Sequence, residues 1–597
     1  MIHELSSAGA QLRSALDRYA RACSKAREVC LSGGRLNSNT ELITGLKKQS
    51  EDIASNIRKL EDARGAINAA RNSAQKVAPI TALPAEILAH IFYFVLPGES
   101  CAAQRNHRGK ISKIKYPTHP DTLAHVCSFW RRVALSSPSL WTHIDIALDH
   151  SLNPGLFARA KVYAIRAGQL PLEIHISDPG SEREKTRDSA IREGKLKPGQ
   201  PGYDSFHDWN DLHDFRFLAS DTASIQTLEI DMYTHNRLRE IYFSVIEYFS
   251  ACSKPGVLSQ YVVRCGNLNW LNLSGVFTEP AETPYSLDGA LLSVPNDHLE
   301  ELWRQIPIMR IGGLCPHWKS KAYQGLVELC IDEGVPAISE LQLVTILRSN
   351  PKLRIFRLTA PLETLIDSDI INPVYLEDLE DLNVMIRDED AELYASRILR
   401  QIAPGSKPIQ LSLTHFSEVS VVDFFSRANV TRLYIWCSPR MSFLFDQCRH
   451  LEILVLSELE LDTGDLDTLV RRASDSGVGD TVNSEGEAER VFEPVSASAS
   501  RIDRLYLLGY CEFSFEEIRA VVEGYSVQKL FIYDGQLSYP TGEGRTVCEN
   551  SRNIKAKLTT IPSRPTIEYY PEGCWDGLHD DGCFRDPESW IRTSLRC

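Results

Sequence analysis

A six-residue pattern of apolar positions recurs through most of this chain. Each copy places Leu, Ile, Val, Met or Phe at its first, fourth and sixth positions. The strongest copies begin at Leu326, Leu353 and Leu379, and their starts are 27 and 26 residues apart. Other copies begin at Ile225, Leu268, Ile306, Val430, Leu451, Ile502 and Val527, with a degenerate copy at Leu411 and Leu413. One unit of this length cannot bury its apolar side chains alone, so the units must pack on one another.

This spacing indicates the kind of unit. Periods of about 20–29 residues are typical of leucine-rich repeats, in which each unit has one strand and a returning helix. Two such helices are predicted over 338–349 and 515–522, where apolar residues share one helical face. We therefore predict a solenoid over 149–540. Disordered insertions are predicted near 181–204 and 472–499, which hold few apolar residues, and 541–597 is predicted to be an irregular tail.

Residues 1–76 show a different spacing of apolar residues. They contain no proline and carry apolar residues seven positions apart, first at Leu5, Leu12 and Tyr19, then at Leu46, Ile53, Leu60 and Ile67. Sustained heptads predict helices that pair along a narrow apolar seam. Two alternatives remain open for this segment: a helical hairpin that folds on its own chain, and an intermolecular coiled coil that causes self-association.

Composition excludes several classes of protein. The 79 acidic residues exceed the 65 basic ones, which gives a formal net charge of −14 and argues against a general nucleic-acid binder. Apolar runs are too short to span a membrane, and the first residues do not resemble a secretion signal. The 15 cysteines form no C-x-x-C pair, as expected in a reducing compartment. We expect a cytoplasmic and/or nuclear protein.

Residues 78–148 combine two amphipathic helices with a strand. The first helix follows Leu83-Pro84, the second covers 123–134, and an alternating strand follows Leu140-Trp141. The gap at 98–117 carries five basic residues and one acidic residue. It is predicted to be a solvated insertion loop, with a nuclear-import or phosphate-binding patch as the alternative.

The residues of this segment resemble an F-box. The carriers are Leu-Pro-Ala-Glu-Ile-Leu at 83–88, Val-Cys-Ser-Phe-Trp-Arg-Arg-Val-Ala at 126–134 and Leu-Trp at 140–141. The arrangement is similar to F-box-like proteins of mushroom-forming fungi, and only the long basic gap departs from it. The resemblance implies that the segment binds the Skp-type adaptor of cullin–RING ubiquitin ligases. The contact residues it implies are Leu83, Pro84, Ile87, Leu88, Ile91, Val126, Cys127 and Trp130.

These eight residues have a second interpretation. Several of them, Trp130 above all, would equally serve as internal core that holds the two helices together. Leu83 and Pro84 are the residues most expected to face a partner.

No catalytic constellation is predicted. The chain lacks phosphate-binding, dinucleotide-binding, zinc-protease and serine-hydrolase motifs. The segment 573–583 gathers metal-ligand types, but its two cysteines lack the usual close spacing. Cys127 is predicted to be a structural thiol, and His90, His125 and His143 to be surface or capping groups. We therefore assign no catalytic, cofactor-binding or metal-binding residue and expect a protein that is not an enzyme.

The predicted fold class is α/β, with an N-terminal helical or coiled-coil segment, a small α-helical F-box-like domain and a leucine-rich-repeat-like solenoid. The resemblance implies a substrate-recruiting adaptor of a cullin–RING (SCF-type) ligase, whose solenoid binds a protein target. The alternative is a scaffold outside any ligase, which multimerises through its N-terminal helices and binds partners on the solenoid.

Overall fold

The chain is a mixed α/β protein with N-terminal helices and a large parallel sheet. The computed structural model describes residues 2–31, 39–73, 80, 83–95, 101–105, 111–147, 152–178, 224–232, 239–265, 296–313, 315–363, 372–386, 391–414, 418–436, 450–457, 501–508, 512–533, 536–541, 544–548, 558–561 and 565–570. The insertions predicted near 181–204 and 472–499, the pattern copy at Leu268 and the segment 573–583 lie outside these residues.

Two compact units make up the chain. The first contains Met1–Leu88 and Ala124–Arg132, and the second contains Ala89–Leu123 and Val133–Cys597. Among the described residues, no helix combines the length and the apolar character needed to cross a membrane.

Two long helices, α1 (Ile2–Leu31) and α2 (Asn39–Ser73), form where the heptads predict them. The hydroxyl of Tyr19 donates a hydrogen bond of 2.7 Å to Oε1 of Gln49, which links the two helices. No described residue of α1 is buried. The seven seam residues named above remain between 36% and 55% exposed, with Tyr19 and Leu5 at the two limits.

The other helices are shorter. They are α3 (Ala85–Val95), α4 (Asp121–Val126), α5 (Ser128–Leu135), α6 (Asn153–Ala167), α7 (Arg239–Cys252), α8 (Asn296–Trp303), α9 (Glu340–Arg348), α10 (Ala391–Gln401), α11 (Glu418–Arg427) and α12 (Phe515–Gly524). Helices α9 and α12 lie within two residues of the return helices predicted over 338–349 and 515–522.

The strands are β1 (Ala103–Arg105), β2 (Ile111–Ile114), β3 (His143–Ala147), β4 (Leu172–Asp178), β5 (Ile225–Met232), β6 (Gln260–Cys265), β7 (Ile308–Gly312), β8 (Glu328–Ile331), β9 (Ile355–Leu358), β10 (Val374–Leu376), β11 (Asp381–Val384), β12 (Ile402–Pro404), β13 (Ile409–Leu413), β14 (Val430–Trp436), β15 (Ile453–Ser457), β16 (Arg504–Leu508), β17 (Glu512–Ser514), β18 (Lys529–Tyr533), β19 (Gln536–Thr541), β20 (Gly544–Cys548) and β21 (Thr566–Tyr570).

Fourteen of the described strands form one sheet in the order of the sequence. The order is β3-β4-β5-β6-β7-β8-β9-β11-β13-β14-β15-β16-β18-β21, and each neighbouring pair is parallel. Smaller sheets join β1 with β2, β10 with β12, and β17 with β19 and β20.

The apolar pattern sets the register of this sheet. Its fourth and sixth positions are two residues apart, so both side chains point to one face of a strand. In register across neighbouring strands lie Met309, Leu329, Phe356, Leu382, Leu411, Leu433, Leu454, Leu505 and Leu530. Each of these side chains is at most 1% exposed. We call this side of the sheet the pattern face.

The sequence pattern did not predict the unit that contains β6. Strand β6 lies between β5 and β7, with Tyr261 opposite Leu228 and Met309. Tyr261 and Val263 are fully buried at the fourth and sixth positions of this unit, and Leu258 occupies the first. The predicted pattern did not admit Tyr, so it missed this unit.

The predicted limits of the repeating region also need correction. The sheet begins at His143, before residue 149, and its last described strand, β21, follows residue 540, where an irregular tail was predicted. Ile567 of β21 pairs with Leu530, so the sheet continues beyond the last predicted copy. The pattern missed this strand because its first and sixth positions here are Arg564 and Tyr569, which are not among the residues it admits.

The basic insertion is a hairpin, not the solvated loop predicted for 98–117. Strands β1 and β2 pair antiparallel, with Ala103 opposite Ile114. Ala102 and Ile114 are buried and pack against Ala147 and Leu156. Strands this short offer too few alternating positions for the sequence to reveal them.

Candidate functional site

Helix α3 carries the first half of the F-box-like motif. Pro84 immediately precedes the helix, and its carbonyl accepts a hydrogen bond of 3.1 Å from the amide of Leu88. Proline fits here because its missing N–H would have no partner in the first helical turn. Pro84 is exposed and Leu83 is half-buried.

The faces of α3 differ in exposure. Leu88 and Phe92 lie four residues apart and are at most 1% exposed. Ile87, Ile91 and Phe94 fall on another face of the helix and are 48%, 36% and 78% exposed. We call these three residues the α3 apolar face. Leu88 was predicted to contact a partner, but it has no exposed surface and its contacts are internal.

The second half of the motif forms two short helices, where the sequence predicted one. Helix α4 ends at Val126 and α5 begins at Ser128. Between them, the Cys127 sulfur accepts a hydrogen bond of 3.4 Å from the amide of Trp130, three residues into the next turn. Cys127 therefore caps α5. It was predicted to be a buried structural thiol, but it is half-buried.

The other predicted contact residues of this half differ in exposure. Val126 is 56% exposed, so it is available to a partner. Cys127 and Trp130 are half-buried.

The closing Leu-Trp of the motif is internal. Leu140 and Trp141 are at most 2% exposed. The indole N–H of Trp141 donates a hydrogen bond of 2.8 Å to the carbonyl of Ala134 at the end of α5. The Tyr163 ring packs edge-on against Trp141, with 4.9 Å between ring centroids. Trp141 thus joins the end of α5 to the sheet and to α6.

A second constellation lies at the start of the sheet. His143 and Asp145 alternate on β3, so both point to the side opposite the pattern face, and Asp145 pairs in register with His175 of β4. Cys101 approaches from the residues before β1. One donor atom from each of Cys101, His143, Asp145 and His175 lies within 4.8 Å of the other three. We call these four residues the Cys–His–Asp cluster.

Short polar contacts connect the cluster. The Cys101 thiol donates to Oδ1 of Asp145 at 3.4 Å, and its sulfur lies 3.9 Å from Nδ1 of His175. Nε2 of His143 is 3.4 Å from Oδ2 of Asp145. The two imidazole rings are tilted, with 4.4 Å between their centroids.

A second layer of charged residues surrounds the cluster. Oε2 of Glu173 lies 3.5 Å from Nδ1 of His143, and Oε2 of Glu229 lies 3.4 Å from Nδ1 of His175. Nη1 of Arg264 forms an ion pair with Oε1 of Glu229 at 3.0 Å. Carboxylates in these positions fix the orientation of imidazole rings.

The cluster shifts the pKa of its own members. Burial raises the pKa of the Cys101 thiol, and the charge of Asp145 adds to this effect although His143 opposes it. Burial works to lower the pKa of His143, but hydrogen bonds, the strongest with Asp145, leave that pKa well above its ordinary value. Burial and the charge of His143 lower the pKa of His175. A thiol with a raised pKa is a poor nucleophile, so this geometry does not support cysteine catalysis.

Sequence analysis did not identify this cluster. His143 was predicted to be a surface or capping group, which is wrong because its side chain is only 17% exposed. His90 and His125 are exposed, as predicted. The available signal was the alternation of titratable residues on two otherwise apolar strands, His143 with Asp145 and Glu173 with His175.

Comparisons with known proteins return no match: no protein-family model matches the chain, and no curated protein matches it. The F-box-like resemblance and its implied partner therefore stay predictions.

Proposed function

We propose that this protein is a substrate-recruiting adaptor of a cullin–RING (SCF-type) ubiquitin ligase. Its F-box-like segment binds the Skp-type adaptor, and its repeat region binds a protein target. The observation that carries the proposal is the α3 apolar face, because Ile87, Ile91 and Phe94 remain exposed within the motif that resembles an F-box. Exposed apolar residues at helical spacing are the usual anchors of a helix that packs into a partner's groove.

The sheet supports the second half of the proposal. Strands that pair in sequence order, with buried residues in register, fit a leucine-rich-repeat-like solenoid, the finer form of the fold that we propose here. Such a solenoid offers an extended surface for a protein target. Ubiquitin transfer would be performed by the partner subunits, and this chain would contribute proximity and orientation.

The test is the affinity of the full-length protein for a purified Skp-type adaptor, measured by calorimetry. We expect the wild-type protein to bind and the double variant Ile87→Asp/Ile91→Asp to bind at least roughly 100-fold more weakly, because a charge in the buried centre of an interface removes its anchors. Leu83→Ala/Pro84→Ala tests the residues at the start of the motif in the same way.

Ile165→Asp is the matched control. Ile165 lies on α6 and is 80% exposed, so this variant makes the same Ile-to-Asp change at one exposed position without touching α3. Circular dichroism of all variants checks that they fold. Absence of binding by the folded wild-type protein contradicts the proposal, and so does equal binding by the Ile87→Asp/Ile91→Asp variant.

A second function has its own observation. The heptad residues of α1 and α2 are exposed, which favours a scaffold that multimerises through these helices. Light scattering of the full-length protein distinguishes the two: the scaffold requires an oligomer that Leu12→Glu/Ile53→Glu converts to a monomer. A monomeric wild-type protein removes this alternative.

A further inference from the structure

The Cys–His–Asp cluster has the donor set of a zinc site. Thiolate sulfur, imidazole nitrogen and carboxylate oxygen are the protein ligands of Zn²⁺, and four of them complete a closed, structural site. The four residues come from three separate segments: Cys101 precedes β1, His143 and Asp145 lie on β3, and His175 lies on β4. A cluster of one residue type on one element would not have this character.

Two separations between donor atoms, each to a different oxygen of Asp145, match a tetrahedral ion, and a third exceeds its range by about 0.2 Å. With Zn–S of about 2.3 Å and Zn–N or Zn–O of about 2.0–2.2 Å, tetrahedral ligands lie about 3.3–3.7 Å from one another. The Cys101 sulfur is 3.4 Å from Asp145 Oδ1 and 3.9 Å from His175 Nδ1. The separation from His143 Nε2 to Asp145 Oδ2 is 3.4 Å.

The environment also suits a cation. The Asp145 side chain is 5% exposed, and a carboxylate buried to this degree needs a positive charge beside it. Nε2 of His143 is buried and lies 3.4 Å from Oδ2 of Asp145, so a metal bound at this nitrogen takes the place of the proton between the two side chains. Glu173 stands behind His143 at Nδ1, the ring nitrogen opposite the cluster, as the outer carboxylates of histidine metal sites do, whereas Glu229 lies at the same His175 nitrogen that faces Cys101.

We propose that Cys101, His143, Asp145 and His175 bind one Zn²⁺ ion, which fastens the β1–β2 hairpin to the first two strands of the sheet. The mixed sulfur, nitrogen and oxygen set selects zinc over the hard cations Mg²⁺ and Ca²⁺, which prefer oxygen ligands alone. Binding forms the Zn–S bond as the Cys101 thiol releases its proton to water and the Zn–N bond to His143 as that imidazole releases its own proton, and no electron is transferred. This role is independent of the adaptor function proposed above.

The test uses the full-length protein, depleted of metal with a chelator and titrated with Zn²⁺ or with Co²⁺ as a spectroscopic probe. We expect one tightly bound equivalent per chain. With Co²⁺ we expect thiolate-to-metal charge-transfer absorption and the strong visible bands of a tetrahedral centre. Cys101→Ser and His175→Asn should each weaken binding by roughly 100-fold or more, since each removes a direct ligand.

Matched controls separate this site from the other thiols and imidazoles of the chain. Cys30→Ser and His125→Asn make the same chemical changes at exposed positions and should leave the affinity unchanged. His175→Cys keeps a ligand in place, so it should retain Co²⁺ binding with stronger charge-transfer absorption. If Cys101→Ser does not fold, the metal site is still tested by the Co²⁺ absorption of His175→Cys and by the number of metal ions that the wild-type protein binds.

Two results overturn the proposal. One is a folded wild-type protein that takes up no stoichiometric Zn²⁺ or Co²⁺. The other is a folded Cys101→Ser variant that binds Co²⁺ with unchanged affinity and unchanged absorption, because the ion would then lie elsewhere.

Discussion

Single buried polar residues hold the turns between strands in place. Asn350 is fully buried at the end of α9. Its Oδ1 accepts from the amide of Leu326 at 2.6 Å, and its Nδ2 donates to the carbonyls of Tyr323 and Ile346 at 2.8 and 2.7 Å. One side chain thus satisfies backbone groups of two neighbouring units, which no apolar residue of similar size can do.

We expect Asn350→Ala to lower the free energy of unfolding by about 3 kcal/mol, because it leaves several buried backbone groups without a partner. Urea denaturation followed by circular dichroism measures the change. Asn429→Ala is the control: the Asn429 amide makes one longer hydrogen bond, 3.4 Å to the carbonyl of Ser406, so we expect a loss below about 1 kcal/mol. Equal losses in the two variants would contradict this account of Asn350.

Which polar residues come together in the folded protein was the hardest feature to predict from the sequence. Residues such as Leu329 and Leu382 were assigned to the core correctly, because burial follows directly from the apolar pattern. Cys101, His143 and His175 are separated by some 30 to 40 residues, and their convergence depends on strand register and on a hairpin that the sequence did not reveal. Only the alternations of His143 with Asp145 and of Glu173 with His175 are local enough to be seen in the sequence.

At the scale of elements, α9 shows why the return helices were predictable. Of the residues that the spacing placed on one face, Ile338, Val344 and Leu347 are buried, but Leu341 is 70% exposed. The start of α9 is fixed by a reciprocal pair: the Ser339 hydroxyl accepts from the amide of Gln342, and Gln342 Oε1 accepts from the amide of Ser339. Both features involve residues within a few positions of one another, so they can be recognised in the sequence without knowledge of the fold.

We expect Ser339→Ala to cost about 1 kcal/mol of unfolding free energy, because the first turn of α9 loses the acceptor that caps it. Ser349→Ala at the other end of the helix should change it by less than about 0.5 kcal/mol, since the Ser349 hydroxyl only bonds back to the exposed carbonyl of Thr345. Chemical denaturation of the two variants side by side gives the difference. A larger loss in Ser349→Ala would show that the cap does not set the start of α9.

Other elements were hidden because their residues broke the expected composition. Tyr261 replaces the aliphatic residue at the centre of β6, and the α4–α5 break depends on a cysteine that acts as a cap. The pattern did not admit Tyr at this position of β6, whereas it counted Cys127 as an ordinary apolar position of one continuous helix. Strand β6 and the break between α4 and α5 could be located only from the neighbouring strands and helices of the folded protein.

At the scale of the whole molecule, the sequence predicted an α/β chain with helices first and a parallel sheet after them. It did not predict where the sheet ends. Strand β21 pairs in parallel with β18, with Ile567 opposite Leu530 and Tyr569 opposite Ile532, and so covers the backbone groups of that strand. An uncovered strand of this kind is a template for pairing between chains.

We expect a chain that ends after Ile561 to aggregate, because it loses β21 and exposes the edge of β18. A chain that ends after residue 571 keeps β21 and should stay in the state of the full-length protein. Size-exclusion chromatography with light scattering compares the two at equal concentration. A dispersed, folded protein ending at Ile561 would show that β21 is not needed to protect the sheet.

The order of the strands has a consequence for how the molecule is made. Each strand of the large sheet joins the one that precedes it in that sheet, so no pairing waits for a distant part of the polypeptide to be synthesised. Contacts of short sequence separation close with little loss of chain entropy and form quickly. The growing polypeptide can therefore add each new strand to a finished edge as it leaves the ribosome, beginning at β3.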